Sequence, residues 1–259
     1  MKQPLAYIHP AAKIPSSVVI DPFVTIDQNV EIGEGTRILS GVTILEGSRI
    51  GSNCTIFPGA VIGAVPQDLK YQGEDTLAII GNNTTIRECV TVNRGTAAKG
   101  KTVVGNNCLI MAYSHVAHDC VVGDNVIISN ATQLAGEVVV ENFAVIGGGT
   151  LVHQFCHLGS HVMIQGGALI NKDIPPFVKA AREPIAYTGI NSIGLRRRGF
   201  TNETIRDIQE IYRYIYMSSL NVSDAIERIE AELPATKERD EIIQFIRNSK
   251  RGIIRGYFS

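Results

Sequence analysis

Tryptophan is absent from the 259 residues, and the five cysteines form no CxxC pair. An odd count without close pairs argues against a disulfide framework and against a zinc ribbon, and it fits a reducing compartment. Net charge is lacking too: 24 Lys and Arg against 25 Asp and Glu leave a formal charge of −1. A nucleic acid partner usually needs a strongly basic surface, so none is expected, and any positive patch must be local. Long apolar runs are also missing. The opening MKQPLAYIHP holds no stretch of signal-peptide length, and no later segment approaches the ~18 uncharged apolar residues of a spanning helix. The chain therefore reads as soluble and cytoplasmic, without a transmembrane segment. Its length allows one large domain or a main domain with an appendage.

What the sequence has in abundance is a six-residue period. Ile8, Ile14, Ile20, Ile26, Ile32, Ile38, Ile44, Ile50, Ile56 and Ile62 stand in register, and the phase resumes at Ile80, Ile86 and Val92 and again from Val104 to Ile170. Of the 28 positions in this phase between 8 and 170, 25 are Ile, Val or Leu. Two residues earlier the chain is small or β-branched, as at Val18, Val24, Thr36, Ser48, Ala60, Thr132, Val138 and Thr150. A two-step spacing is strand alternation with both residues facing inward. Short strands repeating every six residues with no helical interval close only by coiling. Cys54, Cys108, Cys120 and Cys156 fall at the small inward position and read as core filler rather than chemistry.

The three exceptions, Asp68, Glu74 and Ala98, mark two excursions at 64–79 and 93–102 that return in register. Long loops on a rigid scaffold are where function concentrates. The period stops at Lys172-Asp173-Ile174-Pro175-Pro176, and from about Asn202 the apolar spacing turns helical, with Ser223 expected to cap the second helix. The predicted division is a β-helix over 1–190 and an α-helical unit over 191–259.

The period resembles the hexapeptide family, which implies a left-handed parallel β-helix of about ten coils, three strands and 18 residues to a coil. The segments AVPQDLKYQGE (64–74), SHVAHDC (114–120), LAGE (134–137), LVHQFC (151–156) and GINSIGLRRRGF (189–200) are more specific. Together they resemble the UDP-N-acetylglucosamine 3-O-acyltransferases of the LpxA type over essentially the whole chain. That resemblance implies transfer of a 3-hydroxyacyl group from acyl carrier protein to the 3-hydroxyl of UDP-N-acetylglucosamine in lipid A synthesis, by a homotrimer.

In an 18-residue coil, residues n and n+18 are neighbours at about 4.8 Å, so His118, Gly136 and Gln154 form a ladder outside the inward phase. A histidine suits the role of general base for a sugar hydroxyl, and a glycine N–H one coil away suits an oxyanion. The resemblance assigns these roles to His118 and Gly136, with Asp119 supporting the imidazole. It places Gln67, Asp68, Lys70, His115, His153 and Gln154 around the sugar and acyl groups. It places Asn191, Arg197 and Arg198 on the nucleotide, where guanidinium forks suit a diphosphate. Gly166, stacked on Gly148, matches the position that measures the acyl chain, and Lys172, Lys179, Arg182, Lys250 and Arg251 are candidate contacts for an acidic carrier.

Two residues depart from the family pattern. Glu137 stands after the oxyanion glycine and should stack on Asp119, so that one carboxyl is partly protonated or Glu137 turns away; Ile193 replaces an acidic residue of the nucleotide segment. His157 and His161 carry no matched role and read as surface residues. His153, His157 and His161 are spaced by four, which on a six-residue face points them in different directions. No metal or cofactor is expected. The alternatives are another acyltransferase of this architecture, N-acylating or acetyl-CoA-dependent, or a zinc-dependent or non-catalytic β-helix trimer.

Overall fold

A computed structural model describes residues 4–256. Twenty-four short strands run from Tyr7–Ile8 to Leu169–Ile170, most of them two residues long. They stack in parallel into three sheets of nine, seven and eleven strands, the last including three C-terminal strands. The register is the predicted one: Ile8 pairs with Ile26, Ile26 with Ile44 and Ile44 with Ile62. In-register stacks of β-branched side chains fill the interior, and Ile20, Ile26, Ile38, Ile44, Ile56 and Ile62 are wholly buried.

The coil offset rises above 18 where chain is diverted outward. Val61 pairs with Thr91 across the first excursion, and Thr91 pairs with His115 across the second. The strands Val61–Ala64 and Leu77–Ile80 bracket the first loop, and Thr91–Asn93 and Lys101–Val104 bracket the second. The loops proper are therefore a little shorter than predicted. Cys54, Cys108, Cys120 and Cys156 are buried free thiols. Burial pushes Cys120 up to about 12 and Cys108 and Cys156 up to about 11, so none is a nucleophile near neutrality.

Each coil turns three corners, from the nine- to the seven- to the eleven-stranded face and back. At most corners one residue takes a left-handed conformation, often asparagine or glycine (Asn53, Asn83, Asn107, Gly41, Gly59), which tolerate it. Asp119 and Glu137 occupy the same turn position at φ 60° and 61°. Side-chain amides tie one corner vertically: Ser52, Asn82 and Asp124 each donate a backbone N–H to the side-chain oxygen of Asn82, Asn106 and Asn142 respectively, at 2.7–2.8 Å.

Beyond Ile170, strand Val178–Ala181 continues the eleven-stranded face, Ala186–Ile190 returns antiparallel, and Arg255–Gly256 pairs with it in parallel. Four helices lie between: α1 (Ser192–Arg197), α2 (Asn202–Met217), α3 (Val222–Glu232) and α4 (Lys237–Asn248). The α3 cap is Asn221, whose side chain accepts from Asp224 N, and not Ser223, which lies inside the helix. α2 buries Ile205, Ile208, Ile211, Tyr212 and Ile215, the stripe expected of an amphipathic helix.

Two histidines read as surface residues are packed instead. His157 Nε2 lies 2.7 Å from Glu141 Oε1, with its ring against Phe245 of α4. His161 is stacked between Phe143 and Phe177, with Phe200 edge-on, and burial lowers its pKa to about 4, keeping it neutral. Both lie under the helices, which the period of the coils does not reveal.

Candidate active site

His118 lies in the turn between strands His115–Val116 and Val121–Val122, Gly136 in the turn one coil on, and Gln154 one coil further. Backbone hydrogen bonds tie them vertically: Glu137 N donates to His118 O at 3.0 Å and Phe155 N to Gly136 O at 3.1 Å. His118 is partly covered and Gln154 exposed, but Gly136 is buried. The reason is the imidazole itself. A Cβ built on Gly136 would meet His118 Nε2 at 2.5 Å, so the missing side chain is what lets the ring lie over this backbone. Among the described residues the Gly136 N–H has no acceptor.

His118 Nδ1 is 2.9 Å from Asp119 Oδ2, and Asp119 is completely buried. Burial works to raise the Asp119 carboxyl, but hydrogen bonds from the Thr96 hydroxyl, His118 and the Thr96 amide outweigh it and hold the group below its ordinary value. Of the two outcomes expected for the stacked carboxyls, partial protonation is therefore not met at Asp119. Glu137 turns instead to Lys99 Nζ, 3.8 Å away, and the same ammonium donates to Asp119 O at 3.3 Å. A loop lysine thus links the Glu137 carboxylate to the Asp119 backbone. With Nδ1 committed to an ionised carboxylate, Nε2 is left as the basic nitrogen, 3.8 Å from Asp68 Oδ2 on the first loop.

A cleft of about 590 Å³ opens in front of this pair along the nine-stranded face. Gln67, His115, His118, Gly136, His153 and Gln154 line it, with Leu151 and Leu169 extending it toward the C-terminal coils. His115, Gln133, Leu151 and Leu169 succeed one another on adjacent strands, so the outer wall passes from polar to apolar. Both leucines are about half exposed. Burial lowers the His115 pKa, followed by the charge of His118, and Nδ1 of His115 shares a 2.7 Å hydrogen bond with Thr91 Oγ1. Lys70 is exposed at the loop tip, where its N–H donates to Asp68 Oδ1 at 2.9 Å.

The arrangement is an imidazole–carboxylate pair and a glycine N–H beside a partly apolar groove. Residues 173–254 match the model described as Udp N-acetylglucosamine O-acyltransferase; Domain 2, and 101–136 match the bacterial transferase hexapeptide model. Residues 2–106 match that of the GMPPB C-terminal domain. The acyl-[acyl-carrier-protein]--UDP-N-acetylglucosamine O-acyltransferase of Aquifex aeolicus is 56% identical over 256 residues, covering 94% of this chain and 98% of that protein. The chain belongs to that family. The protein of the same name from Thermodesulfovibrio yellowstonii is 46% identical over 96% of this chain and 97% of its own length. LpxA from Bacteroides fragilis superposes with a TM-score of 0.97 at 59% identity, covering 98% of this chain and all of that one. The acyltransferase of Francisella novicida gives 0.96 at 41%, covering 99% and 95%. The architecture is accordingly the left-handed parallel β-helix, with a small helical C-terminal part.

The remaining family-matched residues stand elsewhere on the chain. Asn191 caps α1, accepting from Gly194 N at 3.2 Å and donating to His161 O at 2.9 Å. Arg198 donates to Phe143 O at 2.9 Å with its guanidinium over the Phe143 ring, and its Nη1 is buried without a partner. Burial lowers its pKa. Arg197 is exposed, as is Ile193. Phe143 and His161, which anchor this group, sit at the corner between the seven- and eleven-stranded faces, whereas His118 sits between the nine and the seven. Gly166 sits at the third corner, and a Cβ on it would meet Gly148 O at 3.0 Å, so the two glycines stack as expected. None of Asn191, Arg197, Arg198 and Gly166 lines the cleft. Among the described residues no cluster of three metal-ligating side chains occurs. Thr96 was not singled out from the sequence, and no local motif marks it.

Proposed function

We propose that this chain transfers a long (R)-3-hydroxyacyl group from acyl carrier protein to the 3-hydroxyl of UDP-N-acetylglucosamine, the first step of lipid A synthesis. The observation that carries the reading is the His118–Asp119 pair beside the unpartnered Gly136 N–H at the head of an apolar-walled cleft. His118 Nε2 takes the proton of the sugar 3-hydroxyl as its oxygen attacks the thioester carbonyl. The carbonyl oxygen gains charge opposite the Gly136 N–H, and collapse of the tetrahedral intermediate expels the carrier thiolate, which takes up the proton held by His118. Asp119 stabilises the imidazolium in between. Gln67, Asp68, Lys70, His115, His153 and Gln154 bind the sugar and the acyl head group. Asn191, Arg197 and Arg198 bind the nucleotide, and Gly148 and Gly166 leave the trough that accepts a long acyl tail.

We further propose a cytoplasmic homotrimer with each site between two copies. The three corners of one prism face outward in different directions, so residues at separate corners of one chain cannot converge on one substrate. Three-fold packing brings a corner of one copy to a face of the next. In this division 1–190 form the prism that carries the chemistry, and 191–259 add the nucleotide segment and the helices. A second hollow of about 720 Å³, lined by Lys172, Arg182 and Arg255, shares Leu169 and Asn171 with the catalytic cleft and offers an acidic carrier positive charge at the groove's end.

The test is purified protein with UDP-N-acetylglucosamine, its 3-amino analogue and a series of 3-hydroxyacyl-carrier thioesters, the product identified by mass spectrometry and NMR. Acylation at the sugar 3-oxygen is expected. No product with any carrier thioester would refute the reading.

A further inference from the structure

The second loop leaves the prism after Asn93, returns at Lys101, and drops Thr96 beneath the His118–Asp119 pair. Thr96 is 8% exposed. Its N–H donates to Asp119 Oδ1 at 3.0 Å and its hydroxyl to Asp119 Oδ2 at 2.6 Å. That hydroxyl also accepts from Ala98 N at 3.2 Å, so its single proton has one direction to point. The carboxylate takes one donor on Oδ1 and two on Oδ2, the third being His118 Nδ1 at 2.9 Å. Because the carboxylate is completely buried, water does not compete for these lone pairs.

The contact belongs to a closed ring. Thr76, at the end of the first loop, donates its hydroxyl to Gly95 O at 2.6 Å. Asp68, at the start of that loop, lies 3.8 Å from His118 Nε2. Gly100 N donates to Thr96 O at 2.7 Å, closing the second loop on itself. The chain of contacts therefore runs from Asp68 through His118, Asp119, Thr96 and Gly95 to Thr76, and both loops are fixed relative to one imidazole. The other ionisable groups facing the pair are His115 across the cleft and the Lys99–Glu137 pair on the far side of Asp119.

We propose that Thr96 is a positioning residue for the acyl transfer: by orienting the Asp119 carboxylate it fixes the proton of His118 on Nδ1 and leaves Nε2 as the base. The inference rests on the function proposed above for His118, and it assigns a task to a loop residue that touches no substrate. A purely structural role would make Thr96 a staple holding the second loop to the coil. The two differ in what happens to the imidazole.

The experiment compares Thr96→Val, which keeps shape and the N–H but loses the hydroxyl, with Thr96→Ser, which keeps both donors. A hydrogen bond to a buried charged group governs about a ten- to hundred-fold effect. Thr96→Val should lower kcat by that factor, leave KM for both substrates within about two-fold, and displace the acidic limb of the kcat/KM profile, because the carboxylate that faces the imidazolium loses a donor and its fixed orientation. Thr96→Ser should regain most of the rate. Long-range ¹H–¹⁵N NMR of the substrate-free protein should show His118 protonated on Nδ1 in the wild type and as a tautomer mixture in Thr96→Val. Wild-type rate in Thr96→Val, or a loss with the limb and the tautomer both unmoved, would overturn the proposal. Should the wild type lack turnover altogether, the reaction assigned above fails, while the NMR comparison still decides whether Thr96 sets the tautomer.

Discussion

The turn carrying His118 and the segment carrying Asn191, Arg197 and Arg198 are both matched to the family's function, yet the structure treats them differently. The first is assembled within one chain: imidazole and glycine line one cleft, and the buried acid is hydrogen-bonded to the imidazole. In the second, Asn191 and one guanidinium nitrogen of Arg198 are occupied locally, by α1, His161 and Phe143, one corner away. In the proposed trimer the chemistry is preorganised within one chain, whereas substrate reach depends on where a neighbouring copy puts its corners. Mutations in the two regions should accordingly separate into kcat and KM effects.

The largest expected effect tests the first region. His118→Ala should lower kcat by about 10² to 10⁴ without unfolding the protein, since the side chain fills no core space. Near wild-type turnover would remove His118 from the mechanism. Gly136→Ala comes next, because its Cβ would push the imidazole from 2.5 Å. Displacement of about 1 Å costs on the order of 10² in rate. A crystal structure of this variant with an unmoved ring and a wild-type rate would contradict the account. In the second region, Arg197→Ala combined with Arg198→Ala should raise KM for the sugar nucleotide about ten-fold or more with little change in kcat. An unchanged KM would break the comparison.

Smaller effects sharpen it. His161 titrates lower when folded than the ordinary ~6.5, so protonation favours the unfolded chain. Its contribution is fully present above that value and is lost as pH falls from about 6.5 toward about 4. Between pH 7 and 5 the wild type should lose about 1–2 kcal/mol more than His161→Phe, measured by urea denaturation at both pH values. Equal losses would place the acid sensitivity elsewhere. Gly166→Met should shift preference toward shorter acyl chains, each CH₂ denied burial forfeiting about 0.8 kcal/mol. The readout is kcat/KM across a chain-length series, and an unchanged profile would end the trough somewhere else.

The interior was legible because side-chain period and strand geometry are the same fact: Ile26, Ile44 and Ile62 stack since an 18-residue coil returns them to one face. The same arithmetic put Gly136 over His118 and Gly166 over Gly148. It failed wherever chain arrives sideways. Stacking set Glu137 against Asp119, but Lys99 and Thr96 come in on a loop whose path has no period. His161 and His157 were misplaced for a related reason, since helices and aromatic neighbours cover outward turn and strand positions that a bare coil would expose. α1 is six residues long, too short for helical spacing to register.

The central claim, that one copy's catalytic turn works with another copy's nucleotide segment, is tested by mixing. His118→Ala chains and chains carrying both Arg197→Ala and Arg198→Ala are co-refolded in equal amounts and assayed at sugar nucleotide well below the wild-type KM. If each site takes its base from one copy and its arginines from the next, random assembly restores roughly a quarter of the sites. Activity well above the mean of the separate preparations is the predicted result. Activity no higher than that mean would show that both regions serve the same site within one chain.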